Sequence, residues 1–202
     1  MIIALTGSFC SGKTTVGSIL RRQGLEVIDI DKIYDNILRT SASLRSKLAK
    51  LWGESAKMRR IDKKILSEIV LTHPQGLEKI SSITHPYIIT ELRRLVAKYR
   101  RERKKTKVVI FEVPLLFEKG LDKLFDITIL VWSPKYILIQ RGKQRGYRYS
   151  EILRILSHQM SSREKKKRCD YVIKNNGSRE ELKNKVEEIF KKITNQEVFY
   201  GY

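Results

Sequence analysis

The chain has 202 residues, of which 41% are hydrophobic and 32% charged, and 42 Lys and Arg against 22 Asp and Glu give a formal net charge of +20. This length can bury one good core but is short for two full domains, so we expect one domain with appendages. The positive surplus would attract phosphorylated small molecules or nucleic acid, and charge alone does not choose between them.

The composition also argues against several other classes of protein. Two cysteines, Cys10 and Cys169, are too few for a disulfide framework and suit a reducing compartment. The first five residues are too short for a signal peptide and lack a basic region before them, and no apolar run approaches a membrane span. The three histidines lack zinc-ligand spacing. We therefore expect a cytoplasmic protein without membrane contact, and a monomer is favoured.

Five short apolar, β-branched runs predict strands buried on both faces, at residues 2–5, 25–28, 108–111, 127–131 and 171–173. Helical patterns lie between them. The clearest covers residues 178–193, where Ser178 and Glu181 form a capping-box pattern. Ser133 and Pro134 predict another helix start, with Ser133 as the cap and the proline in the first turn. The alternation predicts an α/β fold, a five-stranded parallel sheet between two helix layers.

Two long excursions interrupt this alternation. About eighty residues of helical pattern separate the second and third strands, which is too much for one crossover. A second stretch is rich in Arg, Lys and Ser and poor in large apolar side chains. We predict a nucleotide-binding core formed by residues 1–33, 104–139 and 169–202, a helical substrate-binding insertion at 34–103, and a mobile lid at 140–168.

The strongest motif lies at residues 7–15. It follows the first predicted strand and precedes an amphipathic helix, which is the context that a P-loop requires. In such a loop, glycines let consecutive backbone N–H groups and the helix N-terminus face phosphates. Lys13 would reach the β- and γ-phosphates of ATP, and Thr14 could offer its hydroxyl to Mg²⁺. The predicted nucleotide-binding residues are Gly7, Ser8, Phe9, Cys10, Ser11, Gly12, Lys13, Thr14 and Thr15.

Two carboxylates stand at the carboxyl end of the second predicted strand, the edge where ligands bind in open α/β sheets. Asp31 could accept the proton of an attacking hydroxyl, with Asp29 as a supporting group or as a magnesium ligand through water. The alternative is that Asp31 only caps the helix that follows.

Arginines in the predicted lid could close over a triphosphate and neutralise the charge on the transferred group. The candidates are Arg141, Arg145 and Arg163, with Arg141 and Arg163 preferred as catalytic residues. The alternative is an ordinary exposed arginine on a helix.

A P-loop alone does not distinguish a kinase from a GTPase or a motor protein. If the protein is a kinase, the loop does not identify the acceptor of the phosphate. A nucleic-acid-binding NTPase is suggested only by the +20 charge. The sequence has no nucleic-acid recognition motif and no interleaving of aromatic and basic residues, which argues against that class.

The chain resembles the dephospho-coenzyme A kinases nearly from end to end. The block at residues 113–118, after the third predicted strand, is the most specific to this family, because other P-loop kinases do not share it. In order, the matching blocks are Ile3-Ala4-Leu5-Thr6-Gly7 into the P-loop; Val27-Ile28-Asp29-Ile30-Asp31; Ile61-Asp62-Lys63 leading to Ile69-Val70; His85-Pro86 with Ile88; Val113-Pro114-Leu115-Leu116-Phe117-Glu118; Gln159 with Arg163; and Asp170-Tyr171-Val172-Ile173-Lys174-Asn175-Asn176-Gly177.

The resemblance implies a fold similar to that of nucleoside monophosphate kinases. It implies transfer of the γ-phosphate of ATP to the ribose 3′-hydroxyl of dephospho-coenzyme A, with Mg²⁺ assisting. Asp31 matches the catalytic acid of the family, Arg141 and Arg163 match its lid arginines, and Asn175 lies in the loop expected near adenine. Cys10 stands where the family more often has glycine, and Lys63 where it usually has arginine.

Overall fold

A computed structural model describes residues 1–52, 66, 75–102 and 108–199. The block at 61–63 that resembles the kinase family, including Lys63, lies outside the described residues, as do residues 69–70 and His73.

The described residues contain five strands: β1 (Ile2–Thr6), β2 (Glu26–Asp29), β3 (Val109–Glu112), β4 (Ile127–Trp132) and β5 (Tyr171–Lys174). They form a five-stranded sheet with the order β2-β3-β1-β4-β5. The first strand pairs in parallel with β3 on one side and with β4 on the other, and β4 pairs in parallel with β5. Each predicted strand is present within one residue of its expected bounds, so the α/β prediction is confirmed.

The strands differ in burial. Every residue of β1 and β3 is buried, as expected for the centre of a covered parallel sheet. The prediction of burial on both faces was wrong for the edge strands, because Glu26 is exposed and the rest of β2 is only half-buried, and Tyr171 and Val172 of β5 are half-buried. A strand at the edge has a neighbour on one side only, so more of its side chains reach solvent.

Helices connect the strands and occur in the described parts of both excursions. Within the described part of the chain, no helix is long and apolar enough to cross a membrane. The helices are α1 (Lys13–Arg22), α2 (Ile30–Thr40), α3 (Ala42–Trp52), α4 (Gly76–Arg101), α5 (Lys135–Gln144), α6 (Tyr149–Ser157), α7 (Ser162–Arg168) and α8 (Arg179–Phe199).

The described residues divide into two compact units. The first contains residues 1–28 and those from 102 onward, and the second contains residues 29–101. The described residues of the second unit are mainly helical and have their own apolar cluster of Leu38, Leu44, Leu48, Leu66 and Ile80. The finer division into core, insertion at 34–103 and lid at 140–168 stays a prediction.

The last helix, α8, completes the core of the first unit. Its predicted capping box is present: Ser178 Oγ accepts from the backbone N–H of Glu181 at 3.1 Å, and Glu181 Oε1 accepts from the N–H of Ser178 at 3.5 Å. The buried side chains of α8 recur at helical spacing and pack on the sheet cluster that contains Ile3, Leu5 and Ile173. They are Leu182, Val186, Phe190 and Ile193.

The start of α5 differs from the prediction. The helix begins at Lys135, Pro134 occupies the N-cap position, and no side chain caps the helix. Ser133 Oγ instead donates a 2.6 Å hydrogen bond to the carbonyl oxygen of Asn175 in the loop after β5. The expectation that Ser133 caps α5 was wrong because a tertiary partner takes the hydroxyl that a cap would use.

Truncation of Phe190 tests how far α8 contributes to stability. Phe190→Ala removes a side chain of which 6% is exposed and leaves a cavity in the sheet cluster. The free energy of unfolding should fall by about 3–5 kcal/mol, measured by chemical denaturation. Lys191→Ala, at the exposed neighbouring position, should change it by less than about 0.5 kcal/mol. Equal effects of the two substitutions would contradict this packing.

Candidate active site

The phosphate-binding loop occupies residues 7–12, between the end of β1 and the start of α1. Gly12 has a φ of 97°, and a side chain added there would collide with the amide of Asn175. Cys10 has a φ of 59° and, among the described residues, is the only non-glycine residue with positive φ. The left-handed turns at these two residues bend the loop around the N-terminus of α1, where helix N–H groups favour an anion.

The side chain of Lys13 lies over this loop. Its Nζ donates to the carbonyl oxygen of Gly7 at 2.6 Å and to that of Ser8 at 3.2 Å. These contacts hold a positive charge at the mouth of the loop. Thr14, in the first turn of α1, is exposed and lines the adjacent cavity.

Arg141 joins the loop to two other elements. Its Nη1 donates to Ser133 Oγ at 3.1 Å and makes 3.4 Å contacts with the carbonyl oxygens of Cys10 and Ser11. Its Nη2 donates to the backbone carbonyl of Asn175 at 3.1 Å and to its side-chain oxygen at 3.3 Å. Burial lowers the pKa of the Arg141 guanidinium from its ordinary value, but an arginine stays charged at neutral pH.

Asn175 completes this network. Its side-chain nitrogen donates to the carbonyl oxygen of Ser11 at 2.8 Å, and the residue is only 6% exposed. The predicted binding residues of the loop, Arg141 and Asn175 are thus brought together within one compact unit.

A cavity of about 510 Å³ opens beside the loop. Its volume lies in the usual range for a small-molecule site. Thr14, Thr15 and Asn175 contribute to its wall, and Leu182 adds an apolar side chain. Four arginines also line it, which gives the cavity the charge that a polyphosphate requires. They are Arg22, Arg141, Arg145 and Arg179.

The two predicted carboxylates belong to the second unit and are described within it. Asp29 is the N-cap of α2, and its Oδ1 accepts from the backbone N–H of Asp31 at 2.9 Å. The alternative in which Asp31 caps this helix was therefore wrong. Asp31 lies in the first turn with an exposed side chain. The roles of both residues stay predictions.

Arg163 is exposed in the first turn of α7. Among the residues that the structure describes, no hydrogen bond joins it to the P-loop. Its predicted catalytic role therefore has no contact that supports it here.

Several residues that contact the loop or its surroundings could not be identified from charge or hydrophobic periodicity in the sequence. Lys165 belongs to the basic run at 163–168, yet it is fully buried and pairs with Glu118 at 2.8 Å. Gln159 Oε1 accepts from the N–H of Phe9 at 2.9 Å. Gln159 and Glu118 lie in blocks that resemble the kinase family, which was the available signal, but those blocks gave neither residue a role.

Comparison with known proteins matches this architecture to one family. The dephospho-CoA kinase family model matches residues 1–181. This chain belongs to the dephospho-CoA kinase family. The membership confirms the enzyme class indicated by the sequence, and the matched range contains the loop, Arg141 and Asn175.

Individual relatives cover almost the whole chain. A dephospho-CoA kinase of Fusobacterium nucleatum is 38% identical over 190 residues, covering 93% of this chain and 95% of the relative. One from Thermus thermophilus is 32% identical over 195 residues, with coverages of 96% and 92%. The solved dephospho-CoA kinase of Campylobacter jejuni has a TM-score of 0.70 at 27% identity, covering 96% of this chain and 98% of the other.

The thiol of Cys10 gives a pH-dependent test of the loop environment. Burial raises its pKa, and the positive charges of Arg145, Lys13 and Arg141 oppose this only in part. Because a raised pKa moves thiolate formation to higher pH, iodoacetamide should alkylate Cys10 more slowly at pH 8 than it alkylates the unfolded chain. The rate should rise at more alkaline pH than for a free cysteine.

The measurement uses Cys169→Ser, in which Cys10 is the one remaining thiol, and follows alkylation by mass spectrometry between pH 7 and 10. The same variant in denaturant is the control. An alkylation rate in the folded protein equal to that of the control at every pH would contradict burial of this thiol.

Proposed function

We propose that this protein transfers the γ-phosphoryl group of ATP to the 3′-hydroxyl of the ribose of dephospho-coenzyme A, giving coenzyme A and ADP. The observation that carries the proposal is the phosphate loop fastened to Arg141 and Asn175 beside an arginine-lined cavity, in a chain of this family.

The donor would bind along the loop and in the adjacent cavity. Residues Gly7 to Thr15 surround the phosphates, and the ammonium of Lys13 moves from its carbonyl partners to the β- and γ-phosphate oxygens. Asn175 lines the cavity and lies in the loop after β5, where the family resemblance implies the adenine. Its hydrogen bond to Ser11 ties that loop to the phosphate loop.

In the transfer, the 3′-oxygen of the acceptor forms a bond to the γ-phosphorus as the bond from that phosphorus to the β–γ bridging oxygen breaks. The proton of the hydroxyl passes to the Asp31 carboxylate, and ADP leaves with the bridging oxygen. Asp31 is exposed at the start of α2, which suits a group that must meet a substrate. Arg141 and Arg163 would neutralise charge on the transferred group.

Thr14 and Asp29 stay predicted ligands of Mg²⁺, and the chemistry of each suits the ion, since a hydroxyl and a carboxylate are hard oxygen donors. Asp29 uses Oδ1 to cap α2, which leaves its other oxygen to orient a water of the ion. When bound, Mg²⁺ neutralises charge on the β- and γ-phosphates.

The proposal extends to the setting of the enzyme. It acts as a monomer in the cytoplasm on a small-molecule substrate, and it needs neither a membrane nor nucleic acid. The buried Cys10 thiol at the nucleotide site suits a reducing compartment.

An acceptor-dependent assay tests the function. Purified protein with ATP and Mg²⁺ should form ADP rapidly when dephospho-coenzyme A is added, and mass spectrometry should find an acceptor product heavier by one phosphate. An analogue that lacks the 3′-hydroxyl should give no product, because it has no attacking oxygen. Shikimate, nucleosides and RNA serve as comparison substrates.

If dephospho-coenzyme A fails to stimulate a protein that binds ATP, the proposed function is wrong. Faster turnover with another acceptor would assign a different small-molecule kinase. Turnover stimulated by RNA, with a steep salt dependence, would assign the nucleic-acid class.

Two substitutions separate binding from chemistry. Asp31→Asn should leave ATP affinity nearly intact and lower kcat by roughly two to four powers of ten, because it removes the proton acceptor. Lys13→Ala should weaken nucleotide binding and turnover together, since the lysine contacts the phosphates in both states. Calorimetric ATP affinity and steady-state rates provide the measurement, and an equal loss of ATP affinity in the two variants would defeat the base assignment.

A further inference from the structure

Phe9, in the middle of the phosphate loop, is held from outside the loop. Its backbone N–H donates to Gln159 Oε1 at 2.9 Å. Its ring meets the ring of Tyr147 edge to face, with centroids 5.1 Å apart. Next to it, Ser8 Oγ lies 3.3 Å from Ser162 Oγ. The segment between α6 and α7 therefore lies against the loop at Gln159, and the first residue of α7 lies against Ser8.

A buried ion pair fixes that segment. Lys165, with no exposed surface, places its Nζ 2.8 Å from Glu118 Oε1 and 3.3 Å from the carbonyl oxygen of Pro114. The same Glu118 oxygen accepts from the backbone N–H of Met160 at 2.9 Å. Met160 directly follows Gln159, so the ion pair holds the backbone from which Gln159 reaches Phe9.

A buried ion pair is a poor device for stability alone, because desolvation of the two charges offsets most of their attraction. Here only 13% of the Glu118 side chain is exposed, and its second oxygen, Oε2, is buried with no hydrogen-bond partner among the described residues. The pair is therefore better explained by the geometry that it imposes than by its net energy.

The loop needs such support. Cys10 follows Phe9 and holds a left-handed backbone conformation, which is costly for any residue except glycine. A strained conformation persists only where its surroundings enforce it. The hydrogen bond from the Phe9 N–H to Gln159 fixes the Ser8–Phe9 peptide, which lies one peptide before the strained residue.

We infer that Gln159 and Lys165 are positioning residues of the nucleotide site. Lys165 holds Glu118, Glu118 holds the backbone at Met160, and Gln159 holds Phe9, so that the loop keeps the shape that receives a triphosphate. The inference rests on the proposed function only in taking this loop as the nucleotide site. Loss of either residue leaves a smaller fraction of molecules with a competent loop, and apparent nucleotide affinity falls by that fraction.

The first test replaces Gln159 in the full-length protein. Gln159→Met keeps the length of the side chain and removes the acceptor, so the Kd for ADP, measured by calorimetry, should rise about 3- to 10-fold, as expected for one lost hydrogen bond. The amide resonance of Phe9 should move in the ¹⁵N–¹H spectrum. Gln159→Glu retains an acceptor oxygen and should preserve that resonance.

The matched control is Gln23→Met, which removes an exposed hydrogen bond to Glu187 in the same unit. It should alter neither the ADP affinity nor the Phe9 resonance. An unchanged Phe9 resonance and ADP affinity in Gln159→Met would overturn the inference.

The second test replaces Lys165, a residue of the buried ion pair. Lys165→Met should move the same Phe9 resonance and weaken ADP binding, although the Lys165 ammonium binds Glu118 and the Pro114 carbonyl and acts on Phe9 only through them. The double variant with Gln159→Met should bind ADP no worse than the weaker of the two single variants, because both act through one contact. Lys192→Met, which breaks an exposed pair with Glu188, is the matched control and should have no effect on either measurement.

A lower melting temperature for Lys165→Met with an unchanged Phe9 resonance and ADP affinity would show that Lys165 is only structural. If Lys165→Met does not fold, Glu118→Met takes its place under the same criteria, and Gln159→Met decides the part that concerns Gln159.

None of these measurements uses the acceptor. A protein that passes them and does not phosphorylate dephospho-coenzyme A would refute the proposed function and leave this inference standing.

Discussion

The hydrogen bonds that the Arg141 guanidinium and the Asn175 amide make to the carbonyl oxygens of the phosphate loop are the constraint on which the site depends. A loop that presents its N–H groups to phosphates must direct carbonyl oxygens elsewhere, and buried carbonyls need donors. Asn175 follows β5 and Arg141 lies on α5, so elements far apart in the chain supply those donors. The shape of the loop is therefore a property of the whole first unit.

Two largely buried carboxylates also join elements that lie far apart in the chain, each by an ion pair with a basic side chain. The Glu112 side chain, 5% exposed at the end of β3, pairs with Arg21 on α1 at 3.0 Å. Arg21 also donates to the carbonyl oxygen of Val27 in β2. Glu118 and Lys165 form a second such pair, between the segment after β3 and α7. Each acidic partner lies at or just after the carboxyl end of β3, so the two pairs tie neighbouring elements to the sheet beside the phosphate site.

Prediction from the sequence succeeded where local signals and tertiary packing agree. The strands carry short apolar runs and α8 carries a periodic pattern, and packing in the sheet cluster reinforces them. It failed at Ser133, whose hydroxyl binds the Asn175 carbonyl instead of capping α5. The burial of Lys165 could not be predicted, because a lysine in a basic run has the composition of a solvated face, and only a carboxylate distant in sequence makes its burial tolerable.

The sequence by itself determined the fold class, the phosphate loop and the enzyme family, because a strand, a glycine-rich turn and a helix form a local unit whose chemistry can be read in order. The tertiary structure alone decided which side chains hold the loop. Arg141, Asn175 and Gln159 lie more than a hundred residues from the loop, and their contacts arise only when parallel strands bring their carboxyl ends to one edge of the sheet. No local pattern encodes such a contact, since hydrogen bonds between distant segments leave no periodicity in the sequence.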